Sequence, residues 1–381
     1  MDQMLADASN PSAPTFPYPS RKRLHAEMLA FAQPQTWRGI VLLVLDFAIY
    51  FAALAGVLFL VPLWAKIACS LVAGVKISNL ATIGHDAAHG SLVREIWLNK
   101  VLGVLAFLPA FFNCRLWVYD HHILHHPKVN GRHRDSFMPY SKAEFDRLPR
   151  YRQRLERLYR APLGLGFGIY YVFERWLPVK VFPRSFMPAG VRREAWRNLF
   201  WLAVWAVLLT AGMVSAPLYS QTSALTAVLL GIVVPHYVWM TLMAMTSFVQ
   251  HTHPNVAWFA DGRDRGLLGQ PELVSTQVDF PRWFKTMMHN VHDHAAHHVQ
   301  PRIPGYRLAD AQARLNELLG PYAVSEMFSF GRFADTVGRC KLYDYDRLQW
   351  LDFEGRPTTK SLLVSASAQI ADEKLVPLRR A

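Results

Sequence analysis

The stretch "IVLLVLDFAIYFAALAGVLFLVPL", residues 40–63, carries one charge, Asp46. About 20 apolar residues in a helix cross roughly 30 Å of hydrocarbon, so this run reads as one membrane span and the start of another. A second region, residues 199–247, contains no Lys, Arg, Asp or Glu. The expected spans are 40–61 and 63–84, turning near Val61-Pro62, then 198–216 and 222–247, joined by the uncharged "APLYSQTS". The fold class is therefore an all-α integral membrane protein with four transmembrane helices. Residues 85–197 and 248–355 form a helical cap on one side, all within a single membrane domain, 37–355. Residues 101–112 are too short to cross and read as interfacial or cavity-lining. The aromatic, basic segment 163–182 reads as an interfacial helix.

The polar, proline-rich segment 1–36 and the segment 356–381 read as loosely ordered tails. The N-terminus has no basic start followed by an apolar run, so it does not read as a signal peptide. The chain of 381 residues has a formal charge of +13, and its distribution is uneven. Between residues 82 and 197, 19 Lys and Arg stand against 9 Asp and Glu. Basic segments beside spans follow the positive-inside bias, which places the cap and both termini in the cytoplasm of a bacterial inner membrane. That reading is favoured over nucleic-acid binding. Cys69, Cys114 and Cys340 are scattered and make neither a disulfide framework nor a thiolate metal site.

Asp46 and Lys76 lie equally far from the turn at Val61, about 22 Å along their helices at 1.5 Å per residue. Lone charges at that depth are costly, so an intramembrane ion pair is expected. The alternative is that Lys76 meets a substrate carboxylate.

Of 16 histidines, 13 fall in three neighbourhoods. "HDAAH" holds His85 and His89. "DHHILHH" holds His121, His122, His125 and His126, with His133 close by. The third runs from His251 and His253 in "QHTHP" to His289, His292, His294, His297 and His298 in "HNVHDHAAHH". Residues three or four apart share a helix face, so each motif aims imidazoles at one point. HxxHH occurs at 122/125/126 and again at 294/297/298, where chance predicts roughly 0.03 occurrences in such a chain. Imidazolium clusters repel one another, whereas neutral imidazoles on a metal do not. All three motifs follow spans that end on one side of the membrane. Eight box histidines exceed one ion's four to six ligands, so two ions are expected, with His251 as ninth ligand and His253 as its rival. Asp86, Asp135 and Asp293 are candidate acceptors for the second ring N–H of a ligand, and equally candidate helix caps. His236 reads as a satisfied polar group within a span, and His25 and His133 as solvated.

The motifs "GHDAAHGS", "HILHH" and "HAAHH" resemble the three histidine boxes of the membrane fatty acid desaturase family. "RDSFMPYSKAEFDRLP", "FVQHTHPNVAWF" and "MHNVHDHAAHHVQPRIPGYRL" extend the resemblance toward its bacterial and plant omega-6 (Δ12-type) branch, over roughly residues 35–350. Carried over by position, the metal ligands are His85, His89, His122, His125, His126, His294, His297 and His298, with His251 as ninth. His121 stands where the resemblance requires no histidine; it reads as lying behind the ligands or at the surface, with substitution for a ligand as the alternative, while His253 is a further candidate behind the ligands and His289 and His292 stand between that role and a structural one. Gly90 follows box one where some relatives carry a further histidine.

Imidazole alone suits iron, copper, zinc and nickel. The resemblance implies two iron ions, with O2 as co-substrate, removing two hydrogens from adjacent methylenes of a fatty acyl chain to leave a cis double bond. Acyl hydroxylation and decarboxylation to a terminal alkene use similar boxes and remain alternatives. A metal transporter is the competing class, but it needs ionisable groups at mid-membrane, and residues 199–247 offer only His236. No dinucleotide fingerprint or haem-attachment motif is present, so electrons come from an external ferredoxin or flavoprotein donor. The basic cap suits an acidic donor and anionic lipid headgroups equally.

Overall fold

The computed structural model describes residues 19–132, 135–260, 275–320 and 323–362; His133 lies outside them. After α1 (Arg21–Leu29), α2 (Thr36–Phe59) and α3 (Leu63–Ala88) form a long antiparallel hairpin. Its turn is set by Pro62, and the backbone at Leu60 is already extended (φ −71, ψ 146). α4 (Ile96–Phe107) folds back on α3. Next, α5 (Cys114–Val118) runs directly into a π-helical turn, Tyr119–His125. α6 (Lys142–Arg147), α7 (Arg150–Tyr159) and α8 (Phe167–Tyr170) follow, and α8 continues as a second π-helical stretch, Tyr171–Val181. α9 (Ala189–Val214) precedes α10 (Ala224–Val228), a π-helical turn Leu229–Val233 and α11 (Val234–His251), the last three forming one rod, Ala224–His251. Pro235 lacks an N–H and its ring crowds the carbonyl four residues back; a one-residue slip in helical register just before it relieves both.

Among the described residues, four helices are long and apolar enough to cross a membrane: Thr36–Phe59, Leu63–Ala88, Ala189–Val214 and Ala224–His251. Burial orders them. The most apolar window of α3 is 61% buried, whereas that of α9 is 17% buried, so α3 is the axis of the bundle and α9 its lipid-facing edge. Contact with α11 is close at Gly74, where a Cβ would come within 2.6 Å of Val238 and 2.8 Å of the Pro235 carbonyl. Small residues at such crossings let helix backbones approach where lipid supplies no hydrophobic drive. α9 begins at Ala189 rather than 198, because its first turns are the charged "RREAWR", which protrude from the apolar layer.

The remaining elements are β1 (Gln277–Asp279), α12 (Arg282–Met287), α13 (His294–Val299), α14 (Gly305–Leu319), β2 (Ser325–Met327), α15 (Phe330–Arg339), β3 (Leu342–Asp344) and β4 (Gln349–Leu351). The all-α expectation is thus corrected in detail: β1 pairs with β2 in parallel, and β3 with β4 antiparallel. Three-residue strands are too short to show an alternating pattern. The tail boundaries change too. Residues 21–29 are helical, capped by the Ser20 hydroxyl, with Leu24 and Met28 buried against Ala295, Ala296 and Leu308. Alone, so short a helix is marginal in water; docking on α13 and α14 stabilises it. At the other end Thr358 N–H donates to the Trp350 carbonyl (2.9 Å), so the ordered cap extends past residue 355.

Candidate metal centre

Box one ends the axis of the bundle. Gly90, in the left-handed region (φ +69), stops α3, while the Gly90 and Ser91 N–H groups donate to the Ala87 and Asp86 carbonyls. His85 and His89 are left on its last turn. Box two lies in the Tyr119–His125 turn, where the His126 N–H donates to the His121 carbonyl five residues back. His251 is the last residue of α11, whose final carbonyl accepts from buried Asn130 (3.1 Å). Box three is α13 itself. The turn before it passes through two left-handed residues, His289 (φ 52) and Asn290 (φ 55).

The boxes converge into two groups. Ring nitrogens of His85, His89, His121 and His297 lie within 4.8 Å of one another, as do those of His125, His251, His294 and His298. The second group is fully buried. His126 joins the first from the side: its Nε2 is 3.1 Å from His121 Nε2 and 3.2 Å from His297 Nε2. His297 Nε2 also faces His85 Nε2 at 3.1 Å. In the second group His294 Nε2 faces both His251 Nε2 and His298 Nε2 at 3.0 Å.

This convergence tests the site for a metal. A ring nitrogen offers either one N–H or one lone pair. His294 Nε2 and His297 Nε2 each face two other nitrogens, which one proton cannot bridge well. A cation that accepts all the lone pairs resolves the geometry, so the residues fit a metal ion in each group. Burial, then the neighbouring imidazoles, hold His121, His126, His294, His297 and His298 well below the usual histidine range. They are therefore neutral at pH 7, the form that binds metal.

Two carboxylates hold histidine rings of these groups. Asp86 Oδ1 lies 3.0 Å from His85 Nδ1, and its Oδ2 accepts from the Gly305 N–H (2.6 Å), which ties box one to the segment after box three. Asp135 holds His125 Nδ1 at 2.9 Å from both oxygens. Burial alone would raise the Asp135 carboxyl, but the hydrogen bond from His125 and the Arg175 guanidinium nearby help to hold it below the usual range.

Other expected residues lie elsewhere. Asp293 is engaged by Lys285 (2.8 Å) and Gln277 (3.3 Å). His253 accepts from the Asn255 N–H (3.0 Å) and sits 3.7 Å from Glu326. His292 packs against Phe280 and Phe284, and burial lowers it to about 3. His289 Nε2 reaches down to Asp46 Oδ2 at 2.5 Å, while Lys76 Nζ lies 2.6 Å from Asp46 Oδ1. His236 is satisfied by the Ile232 and Pro109 carbonyls (2.7 and 3.0 Å). His122 lies beside the first group, its ring 4.0 Å from that of His89 and tilted by 32°, with its Nε2 buried and without a hydrogen-bond partner.

Sequence reasoning missed the ion cluster behind box two. Asp120 pairs with Arg175 (2.9 Å) and Lys180, all three buried, so the two π-helical stretches are clamped together. The available signal was two cations within the otherwise aromatic segment 163–182. Residues of both histidine groups line one cavity, with Trp117, Tyr171, Met243, Thr246 and Leu308 also on its wall.

Four apolar rods, two of which end at convergent imidazole groups, define a membrane protein with two histidine clusters that could each hold a metal ion. The sequence model of the family described as fatty acid desaturase matches residues 62–330, and the chain belongs to that family, whose members are oxidoreductases. It is similar to an sn-1 oleoyl-lipid 12-desaturase of Picosynechococcus sp., 26% identical over 75% of this chain and 77% of that protein. It is also similar to the chloroplastic omega-6 fatty acid desaturase of Spinacia oleracea, 26% identical over 78% of this chain and 63% of that protein. An sn-1 acyl-lipid omega-3 desaturase (ferredoxin) of Nostoc sp. is 26% identical over 66% and 67%.

Proposed function

We propose that this protein is an O2-dependent fatty acyl-lipid desaturase of omega-6 (Δ12-like) type, with two iron ions held by the two histidine groups. The observation that carries the reading is the convergence of both groups on one cavity at the end of the apolar bundle. Imidazole also suits zinc, copper and nickel, but removing hydrogen from an unactivated methylene with O2 needs a redox metal, which excludes zinc. When bound, the iron pair supplies the redox capacity to use O2.

The chain's own residues do the rest. Asp86 and Asp135 accept the Nδ1–H of His85 and His125, which turns each Nε2 lone pair inward and raises ligand basicity. The rings of His125, His251, His294 and His298 are buried beside the cavity. Trp117, Tyr171, Met243 and Leu308 offer an apolar wall for an acyl chain beside the histidines. The overall balance is one CH2–CH2 unit, O2, two electrons and two protons, giving one CH=CH and two waters. The two external electrons come from a ferredoxin-type or flavoprotein donor, and the basic cap suits an acidic one. The same basic excess supports a cytoplasmic site in a bacterial inner membrane.

The test is expression with a ferredoxin and its reductase in a bacterium that makes monounsaturated but no polyunsaturated lipids. Gas chromatography–mass spectrometry of lipids and headspace is run beside a His125→Ala/His297→Ala control. The expected result is a second cis double bond in an existing monoenoic chain, absent from the control. A hydroxy acid or a terminal alkene would replace the desaturase reading with hydroxylation or decarboxylation.

A further inference from the structure

We propose that Asp46, a residue of the first span, is a positioning residue for box three: through His289 it holds the turn that delivers His294, His297 and His298 to the site. The proposal rests on the reading that box three holds metal.

Residues 287–291 lead from α12 toward box three, and alternate residues of this turn are fastened to different spans. The Asn79 side-chain amide, on α3, donates to the Met287 carbonyl (2.7 Å). The His289 Nε2–H donates to Asp46 Oδ2, on α2 (2.5 Å). The Gln250 side-chain amide, on α11, donates to the Val291 carbonyl (2.7 Å). Between these points the Asn290 side-chain amide donates to the Gly305 carbonyl (2.9 Å), on the far side of the box. The Asp293 N–H then donates to the Asn290 carbonyl (3.0 Å), and α13 begins at the next residue.

His289 and Asn290 both sit in the left-handed region (φ 52 and 55), which residues with side chains leave unless their surroundings hold them there. The contact at His289 is made to a carboxylate, and hydrogen bonds to ionised groups are roughly twice as strong as neutral ones. Water competes little with it, since the His289 and Asp46 side chains are 11% and 2% exposed. A plain charge pair needs one oxygen of Asp46, the one that meets Lys76 at 2.6 Å. The other oxygen is taken by the cap. Lys76 supplies the opposite charge that lets a carboxylate sit at that depth, so the pair within the spans and the turn above it form one brace.

The test is hydrogen exchange of the full-length protein in lipid nanodiscs, metal-free, followed by iron release to a chelator and Mössbauer spectra after loading with 57Fe. His289→Ala breaks the brace and leaves Asp46 paired with Lys76. In the metal-free protein its amides at residues 288–298 should exchange about tenfold faster than in wild type, the worth of one hydrogen bond to a charged group, with those of α2 and α3 unchanged. Once loaded, it should release iron faster and show an altered quadrupole splitting. His289→Gln, which keeps an N–H donor at similar reach, should restore the wild-type exchange, release and spectrum. The proposal is overturned if His289→Ala exchanges at 288–298 or releases iron as wild type does, or if His289→Gln restores nothing. It is equally overturned if α2 and α3 loosen as much as the turn, since the contact would then serve the hairpin. A wild-type chain that takes up no iron would bring down the functional reading, while exchange in the metal-free protein would still decide whether Asp46 holds the turn.

Discussion

His125 meets both oxygens of the Asp135 carboxylate, and His85 meets one oxygen of Asp86 whose other oxygen holds a backbone N–H. Such partners fix ring orientation and tautomer, and their loss typically weakens metal binding by about 10–100-fold. Asp135→Asn is therefore expected to lose iron to a chelator at roughly 10–100-fold lower chelator concentration, with its helical circular dichroism unchanged. Equal chelator sensitivity in variant and wild type would show that Asp135 does not tune the ligand. Asp86, Asp135 and Asp293 all stand near a box histidine in sequence, yet only two of them reach one. Asp293 faces Lys285 on the preceding helix instead. Sequence proximity set the candidates; side-chain direction, which depends on the backbone at each position, chose among them.

At the scale of elements, the α2–α3 hairpin has a register that follows from helix rise alone, and that is why the depth of Asp46 opposite Lys76 was legible. The third member was not. His289 comes from a cap turn that two left-handed residues drive down onto Asp46. Asp46 is 2% exposed, so removing its charge strands Lys76 beside lipid. Asp46→Asn should cost on the order of 3–5 kcal/mol. Asp46→Asn/Lys76→Met should then cost less than the two single changes together, as read by thermal unfolding in detergent. Strict additivity would mean that the two charges do not interact. The histidine boxes teach the opposite lesson. Box three is a short α-helix, as a 3.6-residue period reads it, whereas box two is π-helical, so that residues five apart follow one another on successive turns.

For the whole molecule, function depends on segments far apart in sequence meeting at one end of the bundle. The α1 helix belongs to that assembly: Leu24 and Met28 are fully buried in one apolar cluster with Ala295, Ala296 and Val299 of α13. Leu24→Ala should destabilise the cap by about 2–5 kcal/mol and speed iron loss on warming. An unchanged melting temperature and iron-loss rate would show that α1 is dispensable. Four spans, the cap and the supply of imidazoles were readable from sequence because hydropathy and helical spacing are local properties, written in consecutive residues. The tertiary structure decided how those imidazoles divide between two groups, that His251 rather than His253 closes the second, and that His289 serves the intramembrane pair. Each of those outcomes depends on the direction of side chains brought together across long stretches of chain, and on a helical register that packing, rather than periodicity, selects.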